Sequence, residues 1–331
     1  MFLKSRYISL FFILFLIATS FSDQSNAGVL RDRIKERMAE RGAVNGTEDS
    51  SAEPSVRLEG IREKMAQKRG DSASGHYTKT TIAGLDVAVW SPAGQGVYPL
   101  VIFSHGFGGC NTQSKFLMDA MASAGYLVVA PNHDDSKCGR GGSFGKPDES
   151  FKTPEAWSDN TYVNRKNDII NLMNGLRSAP GLQGKIDWSR VALSGHSLGG
   201  YTVIGLAGGW SSWKIGGIKA VLALSPYCSP YVTKGNLSGI NVPVMYQSGT
   251  RDFAIAPYIK KPGGAYDKTP SDYYVEFDGA GHFAFTDAKS DFHESINYYS
   301  VAFLNAYVKG NQGAISKLSN QLDNVSVIKS K

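Results

Sequence analysis

The stretch SGHSLGG, Ser194 to Gly200, sets a serine between two glycines, directly after the apolar run RVALSG and directly before a segment that reads as a helix. A serine hydroxyl is a weak nucleophile at neutral pH and needs a base to take its proton during attack. Gly195 and Gly199 allow a tight strand-to-helix turn, which would lift the Ser197 hydroxyl above a sheet edge with the positive helix end beneath it. The base is predicted to be His282 in FDGAGHFAFTD, where a glycine-bounded loop can carry the ring to a hydroxyl. The acid that orients it is predicted to be Asp252 in SGTRDFAIAP, after an intervening strand, with Asp278 and Asp287 as local alternatives. Attack on a carbonyl leaves an oxygen anion, and the backbone N–H groups of Leu198 and of Phe107 in SHGFGG are assigned as its donors.

The other histidines have smaller roles to offer. The side chain of His196 should point away from the nucleophile, as packing or as a partner behind the site, whereas His105 and His133 sit where they could line a cleft. His76 and His293 have no special claim. HDD at 133–135 is a polar cluster without convergent metal ligands, so neither a metal nor any other cofactor is expected. Three cysteines, Cys110, Cys138 and Cys228, allow three pairings with one thiol left over. Cys110 with Cys138 is favoured, because both follow strands at the same expected edge.

The elements that must position these residues begin near residue 76. HYTKTTI and LDVAVWSP read as an opening hairpin, followed by strands in YPLVIFS, YLVVAP, RVALSG, IKAVLALSP, VPVMYQSG and DYYVEFDG. Helices are predicted near Gln113–Ala124, Tyr162–Leu176, Leu198–Ala207 and Phe292–Val308. Apolar runs alternating with helical crossovers predict an α/β fold, a mostly parallel central sheet with helices on both faces. Turns at the C-terminal strand ends are where such a sheet places chemistry. The long connection Asp134–Asp159 lacks periodicity and reads equally as a partial cover for a cleft or as a surface loop. The tail after Lys309 reads as peripheral.

Residues 1–27 carry Lys4 and Arg6, a short apolar core over Ile8–Ala18 and small residues at Ser25-Asn26-Ala27, the pattern of a cleaved export signal. The core is too short to span a bilayer, which needs about 20 apolar residues, so a secreted or periplasmic protein without a stable transmembrane segment is expected. Residues 28–75 form a charged arm in which LRDRIKERMAERG and LEGIREKMAQKRG repeat a short amphipathic helical pattern around a polar linker. Residues 76–331 then form one catalytic domain. Net charge is +6 across 331 residues, yet no basic stripe is concentrated in either part, which argues against a nucleic-acid partner. Nothing in the sequence sets an oligomeric state.

Over about residues 77–309 these motifs resemble the α/β-hydrolase superfamily, in particular the dienelactone-hydrolase-like branch with bacterial cutinases, polyester hydrolases and platelet-activating-factor acetylhydrolases. VIFSHGFGG resembles that group's oxyanion segment, SGHSLGG its nucleophile turn, GTRDFAIAP its acid loop with a one-residue departure before IAP, and GAGHFAFTD its histidine loop. By this resemblance Tyr227 in SPYCSP and Phe107 would wall an acyl pocket. Ser225 stands where acetylhydrolases of the branch carry their acid, which favours Asp252. The resemblance implies an α/β-hydrolase fold and a serine carboxylic ester hydrolase working through an acyl-enzyme, on small-molecule, lipid or polymer esters. A phospholipid acylhydrolase, a serine peptidase and a noncatalytic binding protein are the alternatives.

Overall fold

The computed structural model describes residues 77–138 and 146–331; the expected leader, the arm and His76 lie outside the described residues. The strands are β1 (Thr78–Ile82), β2 (Leu85–Trp90), β3 (Tyr98–Ser104), β4 (Leu127–Pro131), β5 (Ile186–His196), β6 (Ile218–Leu224), β7 (Val244–Gly249), β8 (Asp272–Phe277) and β9 (Val325–Ser330). The α-helices are α1 (Lys115–Ser123), α2 (Val163–Leu176), α3 (Leu198–Ile204), α4 (Ser229–Thr233), α5 (Ala256–Lys260), α6 (Ala265–Lys268) and α7 (His293–Tyr307). All the strands join one sheet in the order β1-β2-β4-β3-β5-β6-β7-β8-β9. It is parallel from β4 to β8 and antiparallel at both flanks. This is the α/β-hydrolase fold.

Successive side chains of a strand point to opposite faces, and here both faces are covered. In β3, Leu100 and Ile102 join the core beneath α2 and α3, while Val101 and Phe103 join the core beneath α1 and α7. That double burial is why the strands read as continuous apolar runs rather than alternating ones. From β3 the chain steps to β4 on one side, then crosses back to β5 on the other. The carboxyl ends of β3 and β5 therefore bound the crevice where such a sheet reverses its winding.

The hairpin and the long helices lie where the sequence pattern puts them, within a few residues. The tail after Lys309 does more than flank the domain: Gln312–Ser319 forms a 3-10 turn, and β9 pairs antiparallel with β8 as an edge strand. Its alternation is short and carries the exposed Lys329, a charge that blunts an edge strand against further pairing.

β8 opens on Asp272, whose buried carboxylate meets no hydrogen-bond donor within normal reach; Lys331 Nζ stands 3.5 Å from it. Burial pushes its pKa up to about 7, with Lys331 pulling the other way. The unfolded value lies near ~3.9, so the folded chain holds this proton more tightly than the unfolded chain. The charge therefore costs stability above about pH 7 and nothing below about pH 4. Asp272→Asn is expected to raise Tm by a few degrees at alkaline pH and leave it unchanged near pH 4. A Tm difference that does not vary with pH would contradict this account.

Candidate active site

Ser197 is the residue between β5 and α3, and its backbone sits at φ 55, ψ −117. A non-glycine residue there is strained, and the surrounding glycines show what holds it. A Cβ on Gly199 would stand 1.9 Å from Ser104 O, and one on Gly195 would stand 2.3 Å from Gly199 O. The turn is thus pressed against the end of β3 with backbone on backbone. The same closeness brings the following loop alongside, since a Cβ on Gly106 would be 3.4 Å from Ser197 Cβ.

Ser197 Oγ lies 2.9 Å from His282 Nε2, and His282 Nδ1 lies 2.8 Å from Asp252 Oδ2. A carboxylate only accepts, so Nδ1 carries the proton and Nε2 accepts from the hydroxyl. Asp252 follows β7, in a turn that Gly249 permits: a Cβ there would meet Ala280 O at 2.1 Å. His282 follows β8 and opens a 3-10 turn, His282–Phe285. Burial raises the cost of the Asp252 charge, but attraction to His282 and hydrogen bonds from His282 and Ser225 hold its pKa below the usual carboxylate range. Ser225, itself at φ 41, donates its hydroxyl to Asp252 Oδ2 and lies 3.2 Å from His282 Nδ1. The other acids are engaged elsewhere. Asp278 accepts from Thr250 Oγ1, and Asp287 accepts from the Phe116 amide.

His196 does more than pack behind the nucleophile. Its Nε2–H donates to His282 O at 3.0 Å, its Nδ1 accepts from Gln113 Nε2 at 3.1 Å, and its ring lies 4.8 Å from that of His282. Gln113 Oε1 in turn accepts from the Gly106 N–H at 3.0 Å. Burial and the neighbouring His282 push the His196 pKa down to about 3, so it stays neutral and keeps one donor and one acceptor in fixed places. This chain ties the loop after β3 to the histidine loop. Gln113 was not singled out in the sequence, where nothing sets it apart from any polar residue at a helix start.

A second Ser–His–Asp array lies deeper. Ser104 Oγ is 2.9 Å from His133 Nε2, and His133 Nδ1 is 2.8 Å from Asp168 Oδ2. Ser104 is wholly buried and its Oγ also accepts from Arg165 Nη1 at 3.3 Å. Burial and Arg165 push the His133 pKa well down, while burial lifts Asp168 to about 6. His105 is also fully buried, and its Nε2 accepts from the His133 N–H. Neither histidine lines the cleft. The HDD cluster divides instead, His133 going to this array and Asp135 to Arg165. Arg165 had one legible signal: it shares the i, i+4, i+7, i+11 spacing of Ile169, Leu172 and Leu176, which form the buried face of α2.

The long connection after β4 reaches the cleft through residues 146–162. Phe151 packs against Phe107 at 5.4 Å and Tyr227 at 5.0 Å between ring centroids, and Tyr227 donates its hydroxyl to Phe151 O at 2.9 Å. Tyr227 N–H also donates to Ser197 O, which sets this wall beside the serine. No periodicity pointed to Phe151. Phe253 and Phe283, next in sequence to Asp252 and His282, are 71% and 54% exposed. Cys110 and Cys138 are bonded, the favoured pairing, and Cys228 is a buried thiol whose pKa burial pushes up to about 12. Among the described residues no helix is long and apolar enough to cross a membrane.

A largely parallel sheet with a strained serine turn and a hydroxyl–imidazole–carboxylate array defines a serine hydrolase, with the geometry of ester hydrolysis through an acyl-enzyme. A family described as PET hydrolase-like matches residues 146–325, more than half of the chain, and a chlorophyllase family matches residues 66–143. The chain belongs to the PET hydrolase-like family. It is 27% identical over 223 residues to Cutinase 2 of Thermobifida cellulosilytica, covering 66% of this chain and 72% of that one. Cutinase cut1 of Thermobifida fusca is 27% identical over 66% of this chain and 59% of its own length. Platelet-activating factor acetylhydrolase of Gallus gallus is 26% identical over 32% of this chain and 34% of its own.

Replacing His196 by alanine strips a partner from both Gln113 and the His282 carbonyl. Each buried group left unpaired costs about 1–3 kcal/mol, so His196→Ala is expected to lower Tm. It should also reduce kcat by ~10-fold or more with little change in KM, as expected when ground-state binding survives and geometry is lost. Steady-state kinetics on a soluble ester, with a melting curve, would check both.

Proposed function

We propose that Ser197 is the nucleophile of a carboxylic ester hydrolase, with His282 as its base and acid, Asp252 as the orienting carboxylate, and the Leu198 and Phe107 amides as oxyanion donors. The observation that carries this reading is the Ser197–His282 hydrogen bond at a strained turn only partly covered from solvent. The Ser104 array has the same atoms at the same distances but no access.

Ser197 Oγ attacks the ester carbonyl as its proton passes to His282 Nε2, and Asp252 stabilises the imidazolium so formed. Collapse of the intermediate breaks the bond to the alcohol, which leaves with that proton. Water, deprotonated by the same nitrogen, then attacks the acyl-enzyme; the acid departs and Ser197 recovers its hydrogen. The two amides stabilise the oxyanion in both halves.

The likeness to cutinases and to a PET hydrolase-like family supports a small-molecule or polymer ester as substrate. The exposed rings of Phe253 and Phe283 support an apolar substrate lying across the mouth. On the side of Phe107 and Tyr227, Phe151 narrows the acyl site and favours short acyl groups. Export to an oxidising compartment, where residues 28–75 would act as an arm of the mature chain, is supported by the Cys110–Cys138 bond.

Ser197→Ala is expected to abolish turnover of a p-nitrophenyl ester while leaving the melting curve near that of the parent; retained turnover would sink the assignment. Phe151→Ala is expected to raise kcat/KM for an octanoate relative to an acetate ester by about tenfold, the low end of what one methylene is worth in an apolar pocket. An unchanged ratio would remove Phe151 from the acyl site.

A further inference from the structure

Arg165 is a wholly buried cation on α2, and its guanidinium divides its donors between Asp135 and the end of β3 with the loop that follows, Ser104–Gly106. Nε and Nη2 reach Asp135 Oδ1 and Oδ2 at 2.9 and 2.7 Å, Nη1 donates to His105 O at 2.7 Å, and Nη2 donates to Gly106 O at 3.3 Å. Asp135 Oδ2 then accepts from the Gly108 N–H at 3.1 Å. One ion pair thus grips the backbone on both sides of Phe107. The Gly106 carbonyl accepts also from His105 Nδ1 at 2.7 Å and from the Gly109 N–H at 2.9 Å.

The Gly106 C=O and the Phe107 N–H belong to one planar peptide unit, and no peptide bond here is cis. In a trans unit the two groups point in opposite directions. Fixing the carbonyl towards the buried guanidinium therefore fixes the amide hydrogen away from it. Gly106 itself lies against Ser197, as the 3.4 Å approach of a Cβ built there shows. A cation at the carbonyl end also polarises the unit and makes its N–H a better donor, an effect that a water-excluding environment strengthens.

We propose that Arg165, clamped by Asp135, is a positioning residue for ester hydrolysis: it orients and polarises the Gly106–Phe107 peptide so that the Phe107 N–H is ready for the oxyanion before substrate binds. This rests on the assignment of that amide as an oxyanion donor. The pair acts through the backbone and touches no reacting atom. It also explains why a fully buried charge is kept under a catalytic loop, where apolar packing would serve stability equally well.

The test uses the full chain with Arg165→Met, Arg165→Lys and Asp135→Asn, each checked for folding by near-UV circular dichroism. The readouts are kcat and KM on p-nitrophenyl acetate and the inhibition constant of a trifluoromethyl ketone, whose hemiketal oxygen occupies the oxyanion position. Loss of one such donor costs about 100- to 1,000-fold in kcat. Arg165→Met is expected to approach the lower figure, with KM within about threefold and ketone affinity falling in parallel with kcat. Arg165→Lys, which keeps the charge and loses the fork, should recover part of the loss. Unchanged kcat, or unchanged ketone affinity, in a folded Arg165 variant overturns the proposal. Should neither Arg165 variant fold, Asp135→Asn decides, because it keeps an acceptor for Gly108 but removes the charge that clamps the guanidinium; parental kcat and ketone affinity there overturn it equally. Turnover that survives Ser197→Ala would instead overturn the reading of the site itself.

Discussion

The contact on which the structure depends is the one between the turn at Ser197 and the end of β3. Two stretches of backbone meet there with no side chain between them, and a single Cβ on Gly199 would fall inside the van der Waals surface of Ser104 O. The approach holds a non-glycine residue at positive φ and brings the Gly106 loop against the serine. Had the strands been one side chain further apart, the Ser197 hydroxyl and the loop after β3 would not stand side by side. The strain at Ser197 is sustained because β5 is paired on both sides, with β3 and β6, and cannot relax towards an extended turn.

Two Ser–His–Asp arrays in one fold separate geometry from function. Both have a hydroxyl 2.9 Å from an imidazole nitrogen and a carboxylate 2.8 Å beyond. In the Ser104 array the hydroxyl and the imidazole are buried, the oxygen holds a guanidinium hydrogen bond, and the imidazole is held neutral by burial and by the same cation. A hydroxyl whose lone pair is committed to a cation is a poorer nucleophile, and no ester can reach it. That array joins β3, β4 and α2 beneath the site, while the Ser197 array faces the crevice. The two are layers of one polar structure, because Arg165 reaches the β3 loop that His196 and Gln113 tie to His282.

Polar groups under a catalytic loop are costly unless each is satisfied, and here the directionality is complete along one path. The Gly106 amide donates to Gln113, Gln113 donates to neutral His196, and His196 donates to the carbonyl of His282. A protonated His196 would have no acceptor to offer Gln113. Its depressed pKa is thus part of the architecture, set by burial first and by the neighbouring imidazole second.

The sequence by itself determined the sheet and its crossovers, because strands buried on both faces must be apolar throughout. It brought out Ser197, Asp252 and His282 as well: each sits in a glycine-marked turn after such a run, and in a parallel sheet all those turns collect at one edge. The partners of that trio were decided only in three dimensions. Gln113, Asp135 and Phe151 carry no local pattern, since a polar or aromatic side chain acquires its role from what stands opposite, and their partners His196, Arg165 and Tyr227 lie 83, 30 and 76 positions away. Arg165 was visible as a charge on an apolar helical face, but not what it would hold. β9 was hidden because a short edge strand with lysines looks like tail until β8 offers it a row of unpaired backbone groups. Local sequence specifies conformation through periodicity and backbone freedom; the burial and charge that turn one of two identical arrays into a working site exist only once the chain has closed around them.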